Sequence, residues 1–435
     1  MPGQPMLAPH RVFYGWYVVG AVLVITTASS GFVFYNLPIL LAAFVSERGF
    51  PVGLASSATA TFFIASGFGG MLAGRLVDRI DMRLVISGGA LLSALALAPV
   101  GLLHSTWQLF AFHVVFGLAY GTCGLVPVTT VIARWFNAKR SLAFSIGSTG
   151  LSLGGVLVAP ILALSVERYG LSATAPWMAI SMALGIIPIT LLVVRPSPQV
   201  MGLAPDGIGR AEVAATPPQP STSFQDALRS GYFYAVSVAY LFLLGSQVGG
   251  IAHTYRLAST RDGSETAALA LAVLAAASTV GRLAGGALLL KVPARTFALA
   301  LMVMQAVALA GLAWGHGRWA IVAGVTMFGL TMGNSLMMHP LLLVERFGTR
   351  DYGRIYAVSQ LVSVAGLAGG AALVGLIYEM SGGYAVPFMT IALGSLVGFA
   401  VLAGYPAGEA EARSLTPQPV AGVSAAGAET PRSSR

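Results

Sequence analysis

Of the chain's 435 residues, 56% are hydrophobic and only 9% are charged, against about 25% charged in soluble domains, which excludes a water-soluble globule. The net charge of +9 would suit nucleic acid, but the basic residues are spread along the chain in short clusters between apolar blocks, which excludes that partner. Cys123 is the single cysteine, so an intrachain disulfide and a thiolate metal cluster are both excluded.

The first sixteen residues are too short and polar for a cleaved signal, and the apolar block behind them is too long for one. That block is the first of twelve: 17–44, 54–74, 84–103, 107–131, 141–165, 174–194, 232–255, 266–290, 297–314, 319–343, 355–377 and 385–405. Each reaches or nears the roughly 20 residues that cross a hydrocarbon core as a helix. Backbone polar groups in lipid must be satisfied within the segment, so the expected fold class is all-α and polytopic, with twelve transmembrane helices. With the N-terminus inside, the segments on that side carry 18 Lys and Arg and the opposite loops 5. This is the positive-inside asymmetry, and it predicts both termini cytoplasmic in the cell membrane. Trp16, Trp107, Trp135, Trp177, Trp314 and Trp319 all fall at block ends, where an interfacial belt is expected. The partner this composition demands is the bilayer, and the chain is expected to be monomeric.

Between the sixth and seventh blocks, Pro196, Pro198, Pro205, Pro217, Pro218 and Pro220 interrupt the sequence in what reads as a linker. The expected organisation is a six-helix half over 1–195, a cytoplasmic linker over 196–230, a second six-helix half over 231–406 and a disordered tail over 407–435. The halves resemble each other at an offset of 211–216 residues. Gly15-Trp16-Tyr17 is echoed by Gly231-Tyr232-Phe233, and Arg134-Trp135-Phe136 by Glu345-Arg346-Phe347.

The eighth block holds one charge, Arg282, nine residues before Lys291. At about 1.5 Å per residue that is roughly 13 Å inside the bilayer. A charge at such depth is expensive, about 2.5–3.5 kcal/mol on insertion scales, and normally faces a bundle interior or a wet cavity. An intramembrane salt bridge is the alternative, but no Asp or Glu lies well inside any block. The residue is thus available to an exogenous carboxylate, which a planar guanidinium can hold bidentately. At the offset of 214 Phe68 stands opposite it. No Walker loop, HExxH, Cys/His set or GxSxG elbow occurs in a plausible context, so neither an enzyme, a cofactor nor a metal is expected.

Gly74-Arg75-Leu76-Val77-Asp78-Arg79 with Arg83 resembles the loop motif of the major facilitator superfamily. Arg134-Trp135-Phe136 with Lys139-Arg140, Gly147 and Gly150, His253, and Gly281-Arg282-Leu283 resemble its branch of monocarboxylate transporters and oxalate/formate antiporters. The resemblance implies two pseudo-symmetric six-helix bundles working by alternating access, and assigns substrate-carboxylate binding to Arg282. The first, fourth, seventh and tenth helices line the cavity in that fold, which makes Tyr120, Asn36 and Asn334, with Gln360 of the eleventh, further substrate-binding candidates. His253 is the proton-coupling candidate, with a helix-end cap as its alternative. Asp78 with Arg75, Arg79 and Arg83 is the candidate latch between conformations.

The resemblance is incomplete. The lysine that monocarboxylate carriers hold in the first helix is absent from Tyr35-Asn36-Leu37-Pro38, and Ser278 replaces their aspartate. The antiporters' second cation is missing as well, since 355–377 contains no Lys or Arg. The expected function is secondary transport of a small organic anion, lactate- or pyruvate-like, with proton symport as one mode of coupling. The alternatives are a drug or sugar carrier of the same fold, or a non-transporting membrane sensor.

Overall fold

The computed structural model describes residues 13–207 and 221–405; the expected tail over 407–435 lies outside the described residues. Among these residues twelve long helical segments follow in order: α1 Tyr14–Ser46, α2 Val52–Leu76, α3 Met82–Leu102, α4 Thr106–Trp135, α5 Arg140–Tyr169, α6 Leu171–Leu192, α7 Gly231–Gly263, α8 Glu265–Leu288, α9 Ala294–Trp314, α10 Arg318–Phe347, α11 Tyr352–Ser381 and α12 Ala385–Ala403. Eleven of them are long and apolar enough to cross a membrane; α2, at 25 residues, completes the set. α7 runs into α8 with a break only at Asp262 and Gly263, where Gly263 takes φ +86. The two spans thus reverse without a loop, because glycine alone adopts that conformation without cost.

The internal repeat sets the close approaches. A Cβ at Gly69 of α2 would collide with the Leu118 carbonyl of α4, and one at Gly281 of α8 with the Leu330 carbonyl of α10. Both members of each pair are 212 residues apart. Gly117 and Gly329 repeat the pattern against Phe62 and Leu274, again at 212. Small residues let helix backbones touch where lipid gives no hydrophobic drive for association. This register differs from the one expected around Arg282: its counterpart is Gly70, not Phe68, whose side chain is 52% exposed on the outside of the bundle.

The halves meet at one end, the end that carries the linker. Between halves, α2 packs on α11, α5 on α8 and α10 through Arg140–Leu153, and α4 on α11 through Leu125–Trp135. The far-end continuations Thr106–Cys123 and Ala159–Tyr169 pack chiefly within their own half. The bundle is therefore closed at the linker end and splayed at the far end.

The linker is anchored to both halves. The Asp206 carboxylate accepts backbone N–H bonds from Asn137, Ala138 and Lys139 at 2.9, 2.7 and 3.2 Å, satisfying donors ahead of α5. The linker helix Phe224–Arg229 begins with the Phe224 N–H donating to the Asp351 carboxylate at 2.8 Å. Trp135 departs from the expected interfacial belt: it is fully buried, and its indole N–H donates to the Arg195 carbonyl at 2.8 Å. Trp107, Trp177, Trp314 and Trp319 are exposed at helix ends, as a belt requires.

Candidate substrate site

Between the halves lies a cavity of about 160 Å³ whose wall includes Tyr35 and Tyr120 from the first half and Gln247, Arg282 and Gln360 from the second. Local backbone geometry shapes it. α1 widens into a π turn over Ser30–Phe34, and α5 does so over Gly154–Val158. The Tyr35 N–H reaches back five residues to the Ser30 carbonyl at 2.8 Å, and the two bulges pack against each other. Such bulges recur at functional sites because they re-aim the side chains that follow. Ser30, Phe34 and Tyr35 line the cavity here.

Arg282 is 1% exposed. Its Nε donates to the Gly333 carbonyl of α10 at 2.9 Å, and a terminal nitrogen donates to the Ser148 carbonyl of α5. The Ser145 hydroxyl donates to the carbonyl of Arg282 itself. The side chain is thus braced across the interface between halves, with two of its five donors committed. Neither bond goes to a carboxylate. Among the described residues Arg282 forms no ion pair, and the Tyr35 phenol shares its cavity wall. Carbonyl oxygens orient the cation but leave its charge without a counter-ion, and the residue lines the cavity. The pseudo-symmetric Gly70 also lines it, and a Cβ there would meet only the Val126 side chain at 3.4 Å. One half supplies a cation at this place and the other supplies space.

Residues 23–338 match the family profile described as Major Facilitator Superfamily. The chain belongs to the Major Facilitator Superfamily. It is a multi-pass membrane transporter of small molecules, not an enzyme. An MFS-type transporter of Gibberella moniliformis is 26% identical over 320 residues, covering 70% of this chain and 71% of the relative. Monocarboxylate transporter 13 of Bos taurus is 24% identical over 405 residues, covering 90% of this chain and 89% of the relative. The human organic anion transporter MFSD10 superposes with a TM-score of 0.67 over 91% of this chain and 100% of its own, at 15% identity, a likeness of fold.

This superfamily fold gathers some of the sequence candidates and disperses others. Arg282, Tyr120 and Gln360 share the cavity wall. Asn36 does not: it is buried, with its amide donating to the Phe32 carbonyl at 3.1 Å and lying 3.7 Å from the Met178 sulfur of α6. Asn334 is a helix tie, donating to the Gly281 carbonyl of α8 at 2.8 Å and to Leu330 at 2.9 Å. His253 is absent from the cavity wall and bridges helices instead, with Nε2 3.2 Å from the Ala371 carbonyl and Nδ1 3.4 Å from the Tyr384 hydroxyl.

The latch set also changes its pairings. Asp78 pairs with Arg134 of α4 at 3.4 Å rather than with Arg75, Arg79 or Arg83, and Arg83 pairs with Asp81 at 2.6 Å. Burial pushes the Asp78 carboxyl up from the usual carboxylate range, Arg134 opposes that shift, and Asp351 across the interface adds to it. Hydrogen bonds from Arg83 hold Asp81 below that range.

Sequence reasoning missed Gln247, which lines the cavity and is buried, its amide donating to the Met332 carbonyl at 3.4 Å. An amide alone in the apolar run 232–255 was the available signal. Tyr35 was missed because the π turn that aims it leaves no pattern in the residue periodicity.

Proposed function

We propose that this transporter carries a small monoanionic carboxylate, lactate- or pyruvate-like, by alternating access, as a relative of the monocarboxylate and oxalate/formate branch. The observation that carries this reading is Arg282: a buried guanidinium on a cavity wall between the halves, braced by carbonyls and matched to no carboxylate. The uncommitted side of its fork suits two carboxylate oxygens. The likeness to Monocarboxylate transporter 13 over most of both chains supports the same class. Gly70 opposite Arg282 argues against a dianion, whose second charge would sit uncompensated at a cost of several kcal/mol, roughly a hundredfold or more in affinity.

The excess of Lys and Arg in the linker-side segments supports a cell-membrane, inner-membrane orientation with both termini cytoplasmic; function as a monomer is part of the same proposal. The cavity then faces outward. Proton symport belongs to the proposal with the substrate carboxylate itself as the proton carrier, since His253 stands apart from the cavity wall. Asp78, Arg134 and Asp351 take the role of the latch at the closed end.

Reconstituted protein in liposomes tests the reading by uptake of labelled lactate and pyruvate under an inward proton gradient. Saturable uptake blocked by other monocarboxylates, and not by oxalate, is expected. Uptake of a neutral sugar or a cationic drug with no response to monocarboxylates would overturn it. So would carboxylate binding without accumulation, the behaviour of a sensor.

A further inference from the structure

The wall around Arg282 specifies more than a charge. Gln360 enters the cavity eight residues above the start of α11, and Leu367 lies seven residues further along the same helix. On α7, Leu244 and Ile251 are likewise seven apart and both line the cavity. At about 1.5 Å per residue each pair spans roughly 10 Å along the bundle axis. Toward the splayed end the wall turns apolar, with Phe34 of α1, Phe63 of α2, Ile251 of α7 and Leu367 of α11. Phe34 and Phe63 meet edge to face at 6.1 Å between ring centres, so the first half's share of this part of the wall is aromatic, while Ile251 and Leu367 make the second half's share aliphatic. A two- or three-carbon acid held at Arg282 would leave most of that surface against water.

We infer that the cavity selects amphipathic monocarboxylates, with the carboxylate at Arg282 and an apolar body of several carbons lying along Phe34, Phe63, Ile251 and Leu367. The inference rests on the carboxylate reading of Arg282 and deepens it, naming the part of the substrate that the apolar wall recognises. Burying a methylene contributes about 0.8 kcal/mol, which corresponds to about a fourfold gain in affinity. Affinity therefore climbs with chain length until the cavity is filled. A hydroxyl at the far end of the chain, placed against the apolar wall, loses its water without gaining a partner there, so 6-hydroxyhexanoate binds more weakly than hexanoate.

The test uses the full-length protein in nanodiscs and displacement of radiolabelled butyrate by acetate, propionate, butyrate and hexanoate, with 6-hydroxyhexanoate and hexanol as comparisons. About a fourfold gain per methylene over at least two steps is expected, with 6-hydroxyhexanoate weaker than hexanoate and hexanol at least tenfold weaker than hexanoate. Ile251→Asn should flatten the chain-length series, weakening hexanoate severalfold more than acetate, because Ile251 stands toward the end of the cavity that the longer chain reaches. Partition of long acids into lipid is separated by running the series with Arg282→Met, where the climb should vanish. A flat series, or 6-hydroxyhexanoate as tight as hexanoate, overturns this inference and leaves the carboxylate reading standing. Hexanol binding as well as hexanoate, or no carboxylate binding at all, overturns the carboxylate reading and this inference with it.

Discussion

Arg282→Lys keeps the charge and removes the fork. The guanidinium spends Nε on Gly333 and a terminal nitrogen on Ser148, two carbonyls on different helices of different halves. Its remaining donors are left for a ligand. A lysine ammonium is one point with three donors, and it cannot occupy both carbonyl positions while also presenting a flat pair to a carboxylate. At least one charge-assisted hydrogen bond is lost in the bound state, worth about 1.5–3 kcal/mol. At tenfold per 1.4 kcal/mol that weakens carboxylate binding by about 10- to 150-fold. Isothermal titration in nanodiscs measures it, with the melting temperature of the unliganded protein taken alongside. If the lysine variant bound carboxylates as well as the parent while melting lower, Arg282 would be a strut between the halves and the substrate reading would be wrong.

Gly70→Lys places a second cation at the position related to Arg282 by the internal repeat, where a side chain has room. Oxalate affinity should rise at least tenfold in competition assays, and no gain would mean that the two positions do not face the same ligand. His253→Gln should keep gradient-driven uptake within about threefold, because His253 contacts Ala371 and Tyr384 rather than the cavity; collapse of the gradient dependence with exchange intact would return it to the coupling path. For Asp78 the sign follows from burial. Its carboxyl is raised in the conformation closed at the linker end, so that conformation gains from acidification between the raised value and about 3.9, and loses the gain as pH rises through the raised value. Spin-label distances across the splayed end should widen on acidification in the parent and become pH-independent in Asp78→Asn; a persisting response would locate the titrating group elsewhere.

The residues of the chain determined the architecture by themselves because lipid leaves so few options. Apolar blocks of spanning length, charges excluded from them and Lys and Arg gathered on one side are enough to set the helices and their expected orientation. Arg282 was legible for the same reason: a charge in an otherwise apolar run has no cheap explanation. Tertiary structure alone decided which polar residues share a site. Asn36, Asn334, Tyr120 and Gln360 look alike in sequence, each a polar group in an apolar helix, and helix rotation separates the two that line the cavity from the two that tie helices together. That rotation is set by backbone approaches between helices distant in sequence, such as Gly69 on Leu118 and Gly281 on Leu330, and by π turns that periodicity does not register. The same contacts fixed the repeat at 212 residues here and put Gly70, not Phe68, opposite Arg282. Pairing of Asp78 with Arg134 over its sequence neighbours follows from α2 and α4 ending side by side, a fact that belongs to packing rather than to the motif.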